Sequence, residues 1–482
     1  MKLSDLIPKE EIVRANISLN DEEIDFIGGD PEKLQGKPLL IVTNASRIKG
    51  KYDHLKKSFA IIIYNEGITE IEYDKSVTVK DIRKCAAIIC YRFYNPNLKR
   101  LKIIGISGTN GKSTTAMLIK MGIESQGHTV GLIGTGQILI GKEKISDDNY
   151  SMTTPDPWDL YRILKKMEDC NCDHVVMEVS SHALELKKVM PIRFDIGVFT
   201  NLSMEHLDFH SCMEDYYLAK KKLYESSEIA VVNIDDSYGR RLAGELGNKA
   251  ITTGILWRGN EYAASISAMG FDGCSYYHHG NGFCCKINLH IPGIHNIYNA
   301  LQAMAVCNLL GIKPKNVKKA FSDCKSLSGR YEIIKGAVTV IIDYAHTISA
   351  MENLLSDMAS SKSPTQRLIT VFGCGGERDK SKRPRMAEIA EKYSSRIIVT
   401  TDNSRRENPL DIIDNIISGF SRELYEIIPD RKKAIRSAIL TAQDGDIIAL
   451  IGKGPERYNI NAEGYQFFDE KEIVNEAMRD RL

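Results

Sequence analysis

LKIIGISGTNGKSTTAMLIK, residues 101–120, decides the fold. An apolar run ends at Ile106, glycines stand at 105, 108 and 111, and a segment of helical period begins at Lys112. A strand, a Gly-rich turn and a helix in that order predict a loop whose backbone N–H groups converge with a helix N-terminus on anionic oxygens. In that reading Gly108, Thr109, Asn110, Gly111, Lys112, Ser113 and Thr114 wrap the phosphates of ATP, Lys112 reaches the β- and γ-phosphates and Ser113 ligates Mg²⁺. The strict G-x-x-x-x-G-K-[ST] spacing needs glycine at 106, where Ile106 stands, so a Gly-rich turn without a ligand is the alternative.

Outward from the loop, short apolar runs alternate with helix-period segments: TVGLIG, WDLYRILKKMED, DHVVMEVSS, IGVFTNL, EDYYLAKKKLYESS and EIAVVNI. Continuous apolar strands between amphipathic helices predict a parallel sheet covered on both faces. Residues 255–292 change to alternating apolar positions with Gly-rich turns and predict antiparallel hairpins appended to that sheet. A second series, VTVIIDYA, RLITVFGC, RIIVTTDN and DIIALIGKG, predicts a further sheet with site residues at its carboxyl ends. KPLLIVTNASR, KSFAIIIYNEG and VKDIRKCAAIICYRFY predict two strands and a helix of a small α/β domain. The expected architecture is α/β in three domains: a small N-terminal α/β domain (1–101), a central parallel-sheet phosphate-loop domain with an antiparallel element (102–328), and a C-terminal Rossmann-like domain (329–482).

Length agrees, since 482 residues at about 150 per domain give roughly three cores. With 64 basic and 63 acidic residues the net charge is +1, which argues against a nucleic-acid-binding protein. The N-terminus mixes charge into every turn, and no run approaches the ~18 apolar residues of a membrane span, so a cytoplasmic enzyme without a membrane partner is expected. The 11 scattered cysteines, CNC at 170–172 and CC at 284–285 among them, lack zinc-finger spacing and read as buried free thiols.

Glu178 ends the apolar run of HVVMEVSS. Such a carboxylate either binds the Mg²⁺ that the loop serine touches or is an exposed strand-end residue. Thr200, Asn201, His206, Asp208 and His210 follow another strand end within a dozen positions, which suggests a site; His210 alone also reads as a solvent-facing helix start.

Together GISGTNGKST, TTPD, EVSSHAL, FTNLSMEHLDFH, YYLAKKKL, HNIYNA, GRYE, DYAHT and FGCGGERDKSKRP resemble, in order over about residues 78–458, the Mur ligases, and among them the MurE type. The resemblance implies an ATP-dependent, amide-bond-forming, ADP-releasing ligase of peptidoglycan precursor synthesis that adds the third stem-peptide residue to UDP-N-acetylmuramoyl-L-Ala-D-Glu through an acyl phosphate. It implies Mg²⁺ ligation by Ser113 and Glu178, a second Mg²⁺ at His206, and a carbamate on Lys220; taken alone, AKKKLYE reads as a solvated helix face. It further implies adenine contacts from Asn296 and Asn299, ribose binding by Asp343 with His346 in the same motif, and Arg330 near the nucleotide phosphates. Read without it, Asn296 is an N-cap and Asp343 a loop-start residue. Ser46, Thr153, Thr154, Ser180 and Lys188 are implied for the UDP-sugar peptide, with Lys188 standing where the family generally has arginine.

For the incoming amino acid the resemblance implies Arg378 at the α-carboxylate, with Gly452 and Glu456 in GKGPE. In the diaminopimelate-adding branch a D-N-P-R motif binds the distal carboxylate; here Asp402, Asn403, Ser404 and Arg405 stand, with the arginine kept and the proline replaced. A guanidinium fork suits a carboxylate and repels the ammonium of lysine, so Arg405 favours meso-diaminopimelate. Arg406 beside it, or a pair of loop charges in water, are the alternatives. Pro455 stands where the family usually has histidine. The partners expected are a UDP-N-acetylmuramoyl dipeptide and a diamino acid, and the chain is expected to act as a monomer. The competing readings are a diverged ligase using L-lysine or another carboxylate carrier, and an ATP-sensing module without catalysis.

Overall fold

The computed structural model describes residues 1–44, 55, 58, 60–68, 73–145, 152–205, 209–268, 270–280, 282–324 and 327–481. Two compact units divide the chain, one of Met1–Ser107, Gly127–Val198 and Ala219–Ile229, the other of Gly108–Gln126, Phe199–Leu218 and Ala230–Leu482.

The first unit opens with five strands: β1 (Ile12–Ala15), β2 (Phe26–Gly28), β3 (Pro38–Val42), β4 (Ile61–Asn65) and β5 (Ser76–Val79), in the order β1-β5-β4-β3-β2. All pairs but β1–β5 are parallel. Every residue of β3 is buried, as a PLLIV run covered on both faces requires. Helix Ile82–Tyr94 follows, and the Asp81 carboxylate starts it by accepting the N–H groups of Arg83 and Lys84.

Further strands of this unit are β6 (Lys102–Ser107), β7 (Val130–Gly134), β8 (Gln137–Ile140), β9 (Glu143–Lys144), β10 (His174–Glu178) and β11 (Phe194–Phe199), ordered β11-β6-β10-β7-β8-β9. Parallel pairing of β10 with both β6 and β7 puts Glu178 level with Ile106, at the carboxyl edge of these strands.

β12 (Ser227–Asn233), which enters the second unit at Ala230, β13 (Ala250–Gly254), β14 (Glu261–Ala268), β15 (Cys274–Gly280) and β16 (Phe283–Leu289) are neighbours in that order. The chain runs parallel up to the β13–β14 pair and turns antiparallel over β14-β15-β16, the expected appended hairpins.

The C-terminal sheet has β17 (Glu332–Lys335), β18 (Thr339–Asp343), β19 (Leu368–Phe372), β20 (Arg396–Val399), β21 (Tyr425–Ile427) and β22 (Ile447–Ile451), ordered β17-β18-β22-β19-β20-β21 and parallel apart from β17. Period-two alternation divides its side chains between two cores. Ile341, Phe372, Val399 and Ile451 meet helices 348–361, 382–393 and 409–417; Val340, Val371, Ile398 and Leu450 meet helices 431–441 and 470–481. Each fully buried Ile, Leu or Val contributes about 1.5–3 kcal/mol, so both faces hold the sheet. A hairpin of β23 (Tyr458–Asn461) and β24 (Gly464–Phe467) follows β22.

Among the described residues no helix is long and apolar enough to cross a membrane. All 11 cysteines are free, but the expectation that they are buried fails at Cys170, Cys212 and Cys284, which are exposed, and at half-buried Cys285. Cys284 lies on a two-faced hairpin strand and Cys170 at a helix end, where thiols reach solvent.

Candidate active site

In the second unit the phosphate loop runs into helix Lys112–Glu124, whose N-cap is Gly111 at φ +84° with no side-chain cap. The positive end of the helix dipole at this N-terminus favours an anion. Gly108 has φ +151°, and a Cβ there would lie 1.9 Å from Thr200 Oγ1. Of the strand-end residues expected to form a site, Thr200 and Asn201 shape the loop. Thr200 Oγ1 and Asn201 Nδ2 donate to the Asn110 carbonyl at 2.7 and 3.0 Å, while Asn201 Oδ1 accepts the Asn110 N–H at 3.0 Å. Lys112 Nζ folds onto the loop and donates to the carbonyls of Gly108 and Thr109 at 3.1 and 2.8 Å. Thr114 is buried. His210 is buried against Tyr216, so the solvent-facing reading of it fails.

Arg330 Nη2 donates to Ser113 Oγ at 3.0 Å and its guanidinium lies over the Tyr344 ring, while its Nε is buried with no partner among the described residues. A donor left open beside the loop serine suits a phosphate oxygen. Asn296 is no N-cap, because Gly293 holds that position; Asn296 is buried, donates to the Pro292 carbonyl and accepts from Asn299 Nδ2 at 3.0 Å. Asn299 Oδ1 in turn accepts from Thr115 Oγ1 at 3.1 Å, tying helix Ile294–Leu309 to the loop helix. Asp343 ends β18, and its carboxylate accepts the N–H groups of Tyr331 and Ala345 at 2.7 Å each. Burial pushes this carboxyl above its ordinary value against Arg330 and those two donors. His346 pairs through Nε2 with Glu205 at 3.1 Å and sets its Nδ1 on the Tyr344 carbonyl at 2.8 Å.

The first unit carries a second group of side chains. Glu178 is 1% exposed, which removes the exposed-residue reading, and its oxygens take the N–H and O–H of Thr135 at 3.1 and 3.3 Å. No lysine or arginine pairs with it among the described residues. A buried carboxylate with neutral donors fits a hard cation such as Mg²⁺. Thr153 meets Thr135 at 3.0 Å; Thr154 Oγ1 donates to the Glu178 carbonyl at 3.0 Å and accepts the Ser180 N–H at 3.1 Å. Ser180 caps helix Ser181–Glu185 by accepting the Ala183 N–H. Lys188 pairs with Asp156 at 2.8 Å. Lys220 is 2% exposed, so it is no solvated helix residue, and its Nζ lies 3.4 Å from Ser107 Oγ at the end of β6.

At the carboxyl ends of the C-terminal strands, Asn403 is a hub. Its Oδ1 accepts Lys453 Nζ and the Ile460 N–H at 3.0 Å each, and its Nδ2 donates to Glu456 at 2.7 Å. Gly452 (φ +118°) leaves room for Asp402, whose carboxylate a Cβ would approach to 2.9 Å. Burial would raise the Asp402 carboxyl, but Lys453, Arg431 and the Asn403 N–H outweigh it and hold the group below its ordinary value. Burial, and then Asp402, push Glu456 up; it also takes the Tyr344 O–H at 3.2 Å. Arg405 takes φ +53° and donates to the carbonyls of Gly376 and Asn403 at 2.8 and 3.2 Å. Burial, and next the exposed Arg378, hold its guanidinium below the ordinary value, so two cations converge where a carboxylate would relieve both. Two guanidiniums and two carboxylates this close together offer both charges to an amino acid that carries an additional carboxylate.

Ser46 and His206 lie outside the described residues, as does Asp208. Several residues went unmarked in the sequence reading. Lys453 is wholly buried inside the quoted GKGPE, Thr135 holds Glu178, and Arg383, also wholly buried, makes a forked pair with Glu407 at 2.8 and 2.8 Å.

A glycine loop between a parallel strand and an uncapped helix, with a lysine on the loop, defines a phosphate-loop protein of the α/β class. Residues 106–307 match the Mur ligase middle domain, and residues 329–454 match the Mur ligase glutamate ligase domain. The chain belongs to the Mur ligase family. It is 38% identical over 494 residues, covering 100% of both chains, to the UDP-N-acetylmuramoyl-L-alanyl-D-glutamate–2,6-diaminopimelate ligase 1 of Clostridium acetobutylicum. It is also 38% identical to the correspondingly named ligase of Caldanaerobacter subterraneus, over 490 residues, 100% of this chain and 99% of that one. A solved structure titled UDP-N-acetylmuramoyl-L-alanyl-D-glutamate–2,6-diaminopimelate ligase superposes with a TM-score of 0.65 at 25% identity, covering 97% of each chain. The expected three-domain α/β fold and the resemblance to the MurE type are borne out.

Proposed function

We propose that this Mur ligase joins meso-diaminopimelate to the γ-carboxylate of D-Glu in UDP-N-acetylmuramoyl-L-Ala-D-Glu, with ATP converted to ADP and phosphate, as a cytoplasmic monomer in peptidoglycan precursor synthesis. The full-length likeness to ligases of that name supports the reaction. The observation that carries the choice of amino acid is that Arg405, held by the Gly376 and Asn403 carbonyls, shares its surroundings with Arg378, Asp402 and Glu456, charges complementary to a diamino acid with an additional carboxylate and unsuited to lysine.

A carboxylate resists attack by an amine because oxide would have to leave. Transfer of the γ-phosphoryl of ATP to a carboxylate oxygen forms an acyl phosphate and releases ADP. The amine then displaces phosphate, losing a proton as the amide forms. Loop N–H groups and Lys112, moved from its own carbonyls, balance the charge on the transferring phosphoryl. Arg330 supports the same charge through its open Nε, Asn296 and Asn299 face the adenine, and Asp343 with His346 takes the ribose. Ser46, Thr153, Thr154, Ser180 and Lys188 serve the UDP-sugar peptide, and Gly452 gives the amino acid close access to Asp402 and Glu456.

Mur ligases use ATP and Mg²⁺; Ser113, Glu178 and His206 are the side chains we assign to the ion, which supplies Lewis-acid neutralisation of phosphate charge. The buried Lys220 amine takes up CO₂, loses a proton and becomes a carbamate, an anion of the kind that orients a divalent cation.

The test is phosphate release from ATP with UDP-N-acetylmuramoyl-L-Ala-D-Glu and, in parallel, meso-diaminopimelate, L-lysine, L-ornithine or no amino acid. Release that requires diaminopimelate is expected. Release with lysine instead would overturn the role of Arg405, and release with none of them would move the search to another carrier.

A further inference from the structure

At the amino edge of the first unit's sheet, remote from the phosphate chemistry, two histidines and an aspartate meet. His174 begins β10 and Glu178 ends it, so four residues, about 13 Å at ~3.3 Å each, separate this cluster from the magnesium carboxylate. His128 lies in the turn before β7, and its Nδ1 is 3.3 Å from Asp173 Oδ2. The imidazoles of His128 and His174 stand edge to face with centroids 4.9 Å apart. One ligand atom from each of the three side chains lies within 4.8 Å of the others.

His174 supplies the independent observation. It is 6% exposed, and its Nδ1 is buried with no hydrogen-bond partner among the described residues. A buried ring nitrogen without a partner carries a desolvation penalty unless something binds it. The backbone is already set around the cluster: Asp173 donates its N–H to the Thr129 carbonyl at 2.9 Å, and its own carbonyl accepts the Lys102 N–H at 3.0 Å. Both ligand-bearing segments are thereby locked in register, which lowers the ordering cost of binding.

We propose that His128, Asp173 and His174 form a second metal site of this protein, for a first-row divalent transition ion such as Zn²⁺. Two imidazole nitrogens and one carboxylate suit Zn²⁺ with a water in the fourth position, whereas Mg²⁺ demands oxygen ligands and stays with Glu178. The bound ion staples the turn leading into β7 to the start of β10.

The experiment is equilibrium dialysis of the full chain against ZnCl₂ in excess Mg²⁺, with Co²⁺ absorption as a spectroscopic readout of nitrogen ligation, on the native chain, His128→Ala and Asp173→Asn. His128 and Asp173 are partly exposed, so these variants keep the fold, which circular dichroism verifies; His174→Ala would open the buried strand end. We expect one Zn²⁺ per chain that raises the melting temperature, at least about tenfold weaker in either variant, with ligase activity in Mg²⁺ unchanged. No saturable Zn²⁺ binding, or binding undiminished in both variants because exposed thiols hold the ion, overturns the proposal.

Discussion

Replacing Glu407 by glutamine tests how the proposed amino-acid site is held. Arg383 is wholly buried; its Nη1 and Nη2 each reach a Glu407 oxygen at 2.8 Å, and Nη1 and Nη2 also reach Asn415 at 3.2 Å and the Gly375 carbonyl at 3.3 Å. Glutamine keeps the volume but leaves the guanidinium buried without a counter-charge and turns an N–H of its own toward it. Breaking a buried pair in this way costs about 3–5 kcal/mol, and since the Asn415 and Gly375 bonds survive, we expect about 3. At about 2–4 °C per kcal/mol for a domain of this size, thermal unfolding followed by far-ultraviolet circular dichroism should fall by roughly 6–12 °C. Function should follow, because Glu407 also accepts the Glu377 N–H at 3.1 Å, and this turn presents Arg378 and the Gly376 carbonyl that Arg405 uses. KM for the amino acid should rise at least about tenfold while KM for ATP stays level. Acid supplies a second arm. Arg383's hydrogen bonds, against burial, draw the Glu407 carboxyl from 4.5 to about 2. A depressed carboxylate stabilises fully above its unfolded value and loses that contribution as pH falls through the folded one, so native and variant stabilities should converge between pH 4.5 and about 2. Unfolding within about 0.5 kcal/mol of the native chain at pH 7, with an unchanged KM, would refute the argument.

Gly108→Ala should abolish phosphate release by at least about 100-fold without unfolding, since its Cβ would press on Thr200 Oγ1 and the loop must open to admit it; near-native turnover would show that the loop does not hold the phosphates. Lys220→Ala should be inactive and partly restored by formate or acetate, and full activity without rescue would remove the carbamate. Arg405→Ala should raise KM for diaminopimelate far more than for ATP, by about 1.5–3 kcal/mol if a charge-assisted hydrogen bond is lost; equal effects on both would place it outside the pocket.

The sheets were legible because strands covered on both faces leave unbroken apolar runs, as PLLIV, LITVF and IIALI do. The loop was legible because glycine and lysine spacing is a backbone property. Burial of single charged side chains was read only in part, although a signal existed. Tyr216, Lys220, Leu223 and Tyr224 fall at i, i+4, i+7 and i+8 and are all buried, so Lys220 interrupts an apolar helix stripe that AKKK in isolation conceals. Arg383 likewise shares its stripe with Met386, Ala387 and Ala390. What no pattern announced is long-range pairing: that Thr135 would hold Glu178, that Asn403 would gather Lys453 and Glu456, or that His128 would meet His174.

The amine of Lys112 resting on the carbonyls of Gly108 and Thr109 has a consequence for how nucleotide arrives. The side chain we propose for the phosphates is also a strut of the loop itself. Nucleotide binding is then an exchange of one set of oxygens for another on a cradle already in shape, with little chain freedom left to lose. Removing that amine should therefore make the loop easier for a protease to cut, and ATP should no longer be able to close it fully.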